Sequence, residues 1–386
     1  MIGIREALVG PEIVADRSIL REHAVLVRDG TIEAIVPIAQ LPSDVAVRDI
    51  GPGTLSAGLI DIHTHGAAGR SFNEGDATAN RTALAALLRA GVTTVLPTLA
   101  SAPIDDIERA LDRIAAVAGE ATLPNTPGAH LEGPYFADAQ RGAQDPMSLR
   151  VPSDGSVDRL LHHADSIRMI SFAPELPGAI ELTERLVARN IVAAAGHSDG
   201  RDEDLLACQR AGLSHVIHVF SGQSTTTRRG AWREPGMLEA TLASDGLTVE
   251  MIGDGKHLPT TLMRLAYRCL EGRLCLVSDS TPGAGMPNGS SYRMGGMEYV
   301  VEDGVGMTQD RLSFGGSTTL ISGMVPIVIS ALGIGVADAI AMVTSIPAGA
   351  ARLSNVGRIA KGFQADFALF DGQLRIRAVA LAGRWQ

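Results

Sequence analysis

Residues 58–65 read Gly-Leu-Ile-Asp-Ile-His-Thr-His, an apolar run broken by one aspartate and closing on two histidines spaced two apart. Alternate side chains of a strand share a face, so His63 and His65 point the same way. The texture recurs. Apolar runs ending in a polar residue or glycine follow at 92–99, 128–132, 167–175, 191–197, 215–220, 247–254 and 273–279, and amphipathic stretches at 83–89, 104–118, 179–189 and 260–270 fall between them. Continuous apolar strands alternating with helices imply a parallel sheet covered by helices. Eight such units fit a (β/α)₈ barrel of roughly 250 residues. A doubly wound open sheet is the alternative, but no GxGxxG phosphate signature follows the first strand.

The two ends of the chain have a different character. Residues 23–35 predict two strands joined at Asp29-Gly30, a pair suited to a turn with both φ angles positive. Residues 365–370 and 376–381, separated by Asp371-Gly372, repeat that pattern. The expected fold class is therefore α/β: a TIM-type barrel over 57–345, with a small β-sandwich domain built from both termini, 1–56 and 346–386.

Composition narrows the function. The 386 residues carry a net charge of −10, which disfavours nucleic acid as a partner because that needs basic surface. The three cysteines show no CxxC pairing, so neither a disulfide framework nor a thiolate zinc site is expected. The opening MIGIREALVG lacks a basic region and an apolar block, and no run is long enough to span a bilayer. A cytoplasmic protein with no membrane partner is expected.

The polar ends of the runs carry the chemistry. The first closes on His63 and His65, the third on Glu132, the fifth on His197, the sixth holds His218, and the eighth ends at Asp279. C-terminal strand ends of such a barrel share one rim, so these residues should converge there. Four imidazoles and two carboxylates without a thiolate form a donor set that zinc or ferrous iron accepts. His130 and His215, two or three residues before a candidate ligand, are read as structural, and His23, His162 and His163 as unrelated to the rim.

Several motifs carry a family resemblance. Gly-Leu-Ile-Asp-Ile-His-Thr-His-Gly (58–66) resembles the opening signature of the amidohydrolase superfamily. His-Leu-Glu-Gly-Pro-Tyr-Phe (130–136), Ala-Pro-Glu (173–175), Gly-His-Ser (196–198), Arg-Glu-Pro-Gly (233–236), Asp-Gly-Lys-His (254–257) and Leu-Val-Ser-Asp (276–279) resemble the N-acetylglucosamine-6-phosphate deacetylase family more narrowly. Only Lys256 and Lys361 are lysines. With none near the fourth strand, the branch of the superfamily that bridges two metals through a carbamylated lysine is excluded, and Glu132 takes the bridging or principal acidic place.

The resemblance implies a metal-dependent deacetylase with one or two divalent transition ions per chain, zinc first and iron second. Glu132, His197 and His218 would hold the primary ion, and His63 and His65 make a second one chemically possible. Asp279 would move the proton between water and the leaving amine. Arg233 would meet the phosphate of a phosphorylated amino sugar and His257 that phosphate or a nearby hydroxyl, one of the two reaching across a homodimer. Ser317, in a glycine/serine segment at 313–318, would lie near the ligand; without the resemblance that segment reads as a turn after the last strand. Two departures touch the sugar pocket: Gln144 stands where the best-known relatives carry histidine, and Ser221-Gly222 where they carry Asn-Ala. N-acetylgalactosamine 6-phosphate is therefore an alternative substrate, another N-acyl or cyclic amide a further one, and a catalytically silent scaffold the reading from a different class.

Overall fold

The computed structural model describes residues 5–386. Its largest sheet has eight parallel strands in sequential order: Leu59–Thr64, Val92–Leu99, Ala129–Glu132, Ile167–Phe172, Val192–Ala195, His215–Val216, Thr248–Ile252 and Leu274–Val277. All eight expected runs supply one strand each. The first two are buried at every residue, which explains why they lack the polar alternation of a half-exposed sheet. Neighbours pair in parallel from Thr98 opposite His130 round to Ile252 opposite Val277.

The ends of the sheet meet, and that separates a barrel from an open doubly wound sheet. His65 N–H donates to Ser280 O at 2.7 Å and Asp279 N–H to His63 O at 2.9 Å. Below these bonds the buried Asp61 carboxylate accepts from the hydroxyl and the N–H of Ser278. Burial pushes the Asp61 pKa up to about 6, against those hydrogen bonds.

Helices cover the outside. Ile104–Ala115 buries Ile104, Ile107, Ala110, Leu111 and Ile114, the spacing of one helical face, with Asp105 and Asp106 in its first turn and Arg113 in its last. Ala77–Arg89 starts at Asp76, whose side chain accepts from Ala79 N–H.

Both chain ends build the small β unit. One sheet orders Thr31–Pro37, His23–Arg28, Arg5–Val9 and Ala46–Asp49. The other combines Ser18–Leu20, Glu12–Ala15 and Thr54–Ala57 with Phe367–Phe370, Ile376–Leu381 and Arg384–Trp385. Leu8, Val25 and Ile32 from the first sheet share a core with Ile13, Leu55, Phe367 and Leu369 from the second. Asp29 and Gly30 sit at φ 50° and 76°, as their turn requires.

One element departs from expectation. After the eighth strand comes an antiparallel sheet of Ser291–Met294, Met297–Glu302, Val305–Thr308 and Phe314–Ser317. Residues 314–317, expected as a turn, are therefore its last strand. The Tyr299 ring occupies the space a Cβ on Gly315 would take, so this glycine lets the ring lie against the backbone. Among the described residues no helix is long and apolar enough to cross a membrane.

Candidate active site

The rim forms as the run-end residues require. His63, His65, Glu132, His197, His218 and Asp279 are all buried at one mouth of the barrel. His197, His218 and Asp279 take positive φ values of 45°, 20° and 43°, so the chain turns sharply where each strand ends and aims these side chains inward.

Two groups of donors share this mouth. Glu132 Oε1 lies 3.0 Å from both His197 Nε2 and His218 Nε2, and 3.7 Å from His63 Nε2. His65 Nε2 lies 3.3 Å from Glu132 Oε2 and from Asp279 Oδ1, and His63 Nε2 is 3.7 Å from Asp279 Oδ1. Donors bound to one ion by tetrahedral bonds of about 2.0–2.2 Å stand about 3.3–3.6 Å apart, close to these separations. Glu132 contributes one oxygen to each group.

The hydrogen bonds behind the imidazoles set their tautomers. His63 Nδ1 donates to Glu250 Oε2 at 2.8 Å, which leaves Nε2 its lone pair, and that buried Nε2 has no hydrogen-bond partner. His197 Nδ1 donates to Gln140 O at 2.8 Å, again freeing Nε2. A lone pair aimed at neighbouring carboxylates, without a proton between, is the arrangement a divalent cation completes. Residues and ion fit each other.

Sequence reasoning missed Glu250. This fully buried carboxylate on the seventh strand accepts from His63 and from His215 Nε2 at 3.0 Å, and His215 Nδ1 meets Thr248 Oγ1 at 2.7 Å. Burial would raise its pKa, but the two imidazoles outweigh that and hold it well below the carboxylate range. A glutamate inside an otherwise apolar strand was the available signal. His215 thus has a structural role, as does His130, whose ring bonds Ile62 O and Ser171 Oγ at 3.2 and 2.6 Å. Glu175, at the end of the Ala-Pro-Glu motif, accepts from Ser198 Oγ and Asp199 N–H at 2.7 Å each and so braces the turn after His197.

A cavity of about 220 Å³ opens over the donors, room for one monosaccharide rather than an oligosaccharide. Ser221, Gly222, His257 and Gln144 line it, with Met294, Tyr299 and Phe314 from the added sheet. Gly222 has φ 57°, and a Cβ there would stand 2.7 Å from His197 Nδ1, so glycine lets this loop rest on the histidine. His257 Nδ1 donates to Asp254 Oδ2 at 2.7 Å. Burial opposes the imidazolium, but Asp254, with Asp279 behind it, outweighs that and raises the pKa above the usual histidine value.

Two expected substrate ligands sit elsewhere, and a third is at the cavity but already engaged. Arg233 lies on an exposed hairpin, Thr227–Arg229 paired with Trp232–Glu234, and does not line the cavity of its own chain. Ser317 is fully buried beneath the wall, its hydroxyl accepting from Thr319 N–H; the lining comes instead from Ser313 to Gly316. Gln144 is at the cavity, but its amide is engaged with Glu132 and Ser101.

The chain thus combines a β unit built from both of its ends with a closed barrel that carries histidine and carboxylate donors at its strand ends. The amidohydrolase family model matches residues 54–385, and the NagA composite domain matches residues 7–53. The chain belongs to the amidohydrolase family. An N-acetylgalactosamine-6-phosphate deacetylase of Escherichia coli O157:H7 is 31% identical over 380 residues, covering 96% of this chain and 97% of that protein. An N-acetylglucosamine-6-phosphate deacetylase of Vibrio furnissii is 32% identical over 314 residues, covering 79% and 76%. The crystal structure of N-acetylglucosamine-6-phosphate deacetylase from Pasteurella multocida superposes with a TM-score of 0.91 at 25% identity, covering 99% of each chain. This amidohydrolase is thus similar to both kinds of hexosamine deacetylase along nearly its whole length.

Proposed function

We propose that this amidohydrolase removes the acetyl group from N-acetylglucosamine 6-phosphate, giving glucosamine 6-phosphate and acetate. The observation that carries the reading is the convergence of His63, His65, Glu132, His197, His218 and Asp279 beneath a sugar-sized cavity that also holds His257. Glu132, His197 and His218 would hold the primary ion, zinc or iron, and His63, His65 and Asp279 a second. When bound, a divalent ion polarises the amide carbonyl and brings the pKa of water to about 7.

The chain's own groups do the rest. Burial opposes ionisation of Asp279, yet the hydrogen bond with His65 leads the opposing effects and holds its carboxyl below the usual carboxylate range, so it is a base at neutral pH. Its carboxylate takes the proton from the attacking water and passes it to the departing nitrogen, which leaves as an amine. His257, charged through its contact with Asp254, meets the phosphate. Arg233 reaches the phosphate from the second copy in a homodimer, a reading supported by its hairpin, which leaves Trp232 79% exposed and does not line its own cavity.

A second reading keeps the reaction and changes the sugar to N-acetylgalactosamine 6-phosphate. It is favoured by the Escherichia coli relative that matches over nearly the full length. Acetate release from both sugars, with and without phosphate, decides. Preference for either phosphorylated sugar is expected, abolished by chelation and restored by zinc; equal rates on unphosphorylated sugars, or full activity of metal-free protein, would overturn the reading.

A further inference from the structure

Gln144 sits at the cavity wall, where a side chain is naturally read as a sugar ligand, but both ends of its amide are already committed. Its Oε1 accepts from Ser101 N–H at 2.8 Å. A backbone N–H only donates, so this contact fixes which way round the amide lies. The NH₂ end must then face Glu132, and its Nε2 is 2.6 Å from Glu132 Oε2. The loop is held as well: Gln144 N–H donates to Arg141 O at 3.0 Å, and the Tyr299 hydroxyl donates to Ala143 O at 2.9 Å.

Those contacts set the orientation of the carboxylate. Glu132 Oε1 faces His197 and His218, while Oε2 faces His65 and the Gln144 amide. The last torsion of a glutamate is broad, so its backbone alone does not hold one oxygen toward each donor group. A donor on Oε2 uses one lone pair, fixes the carboxylate plane, and leaves the other lone pair directed at His65 and Asp279.

We propose that Gln144 is a positioning residue that orients Glu132 as a ligand shared between the two donor groups, and is not a ligand of the sugar. The proposal rests on the metal-dependent reading above. Without the amide, Glu132 turns, and the ion it holds binds more weakly whatever substrate is present. Because the amide carries no titrating proton, it donates to Oε2 unchanged across the neutral range.

The test is zinc affinity, measured on metal-stripped full-length protein by competition with a chromogenic chelator, beside steady-state kinetics. Q144M keeps the length and removes both polar ends; it is expected to weaken zinc about 10–100-fold. At saturating zinc its KM for the phosphorylated sugar stays within about twofold of wild type, with the loss in kcat. Q144H returns an N–H donor to the same place and is expected to recover most of the lost affinity. Zinc held by Q144M as tightly as by wild type, with a raised KM, would make the amide a sugar ligand and overturn the proposal alone. Failure of Q144H to recover any affinity would also overturn it. Wild-type protein that takes up no transition metal would remove the underlying reading, and the proposal with it.

Discussion

Glu250 never reaches the cavity, yet replacing it should disable the metal centre. It accepts from His63 Nδ1 at 2.8 Å, His215 Nε2 at 3.0 Å and His218 N–H at 3.3 Å. Glu250→Leu would leave two buried ring N–H groups without partners. At about 1–3 kcal/mol for each, that is about 2–6 kcal/mol against a typical domain stability of about 5–15 kcal/mol, so the variant should fold poorly. Glu250→Gln separates folding from metal binding. Glutamine offers one accepting oxygen and one NH₂ group. His215 can meet the NH₂ by moving its proton to Nδ1, where Thr248 Oγ1 waits at 2.7 Å. His63 has no such choice, because a proton on Nε2 would occupy the lone pair an ion needs. E250Q should therefore fold with its oxygen toward His63 and lose only the negative charge behind that ring. Loss of such a partner costs about 10–100-fold in metal affinity, or about 1.4–2.8 kcal/mol. Zinc titration of metal-free protein, paired with thermal melts with and without zinc, measures this directly. If E250Q binds zinc within about threefold of wild type, less than 1 kcal/mol, the carboxylate only fills space and the reasoning is refuted.

Asp279→Asn should lower kcat about 10²–10⁴-fold while at least one ion stays bound; turnover near wild type would remove the proton-shuttle role. For His257 the sign follows from its raised pKa: the cation is present below that pKa and lost as pH rises through it. KM for the phosphorylated sugar should therefore climb on the alkaline side. In Asp254→Asn burial prevails and the climb should begin at lower pH, so an unchanged profile of KM against pH contradicts the assignment. Arg233→Met should raise KM for the phosphorylated sugar only. Mixing it with Asp279→Asn chains should restore activity, because each mixed dimer then has one complete site; no restoration would place Arg233 outside the partner's site. Gly222→Ala should cost about 1–3 kcal/mol and disturb His197, since it combines φ 57° with a contact 2.7 Å from that ring; a melting temperature equal to wild type would show that the loop yields.

The barrel was legible because its strands are buried on both faces. Such strands must be continuous apolar runs, and their polar ends are the only places where water or a ligand can meet them. Hence the eight runs, and the six side chains that close five of them, could be read along the chain. The added sheet at 291–317 was not. Its strands are four to six residues long and none is a continuous apolar run; Ser291–Met294 and Met297–Glu302 do alternate buried with more exposed residues, but the packing of Tyr299 against Gly315 exists only once the chain has folded back.

Sequence alone determined which side chains gather at the rim, since each position follows from where its own strand ends, and the scarcity of lysine singled out Glu132 among acidic ligands. Tertiary structure decided what each polar group at the mouth is free to do. Gln144 is spoken for by Glu132 and Ser101, 12 and 43 positions away in the chain, and Ser317 is buried beneath its own sheet. Arg233 is exposed on a hairpin that does not line its own cavity, and Glu250 stands behind His63, 187 positions distant. Residue type fixes how many hydrogen bonds a group can make, but only the packed neighbours fix which of them are already used.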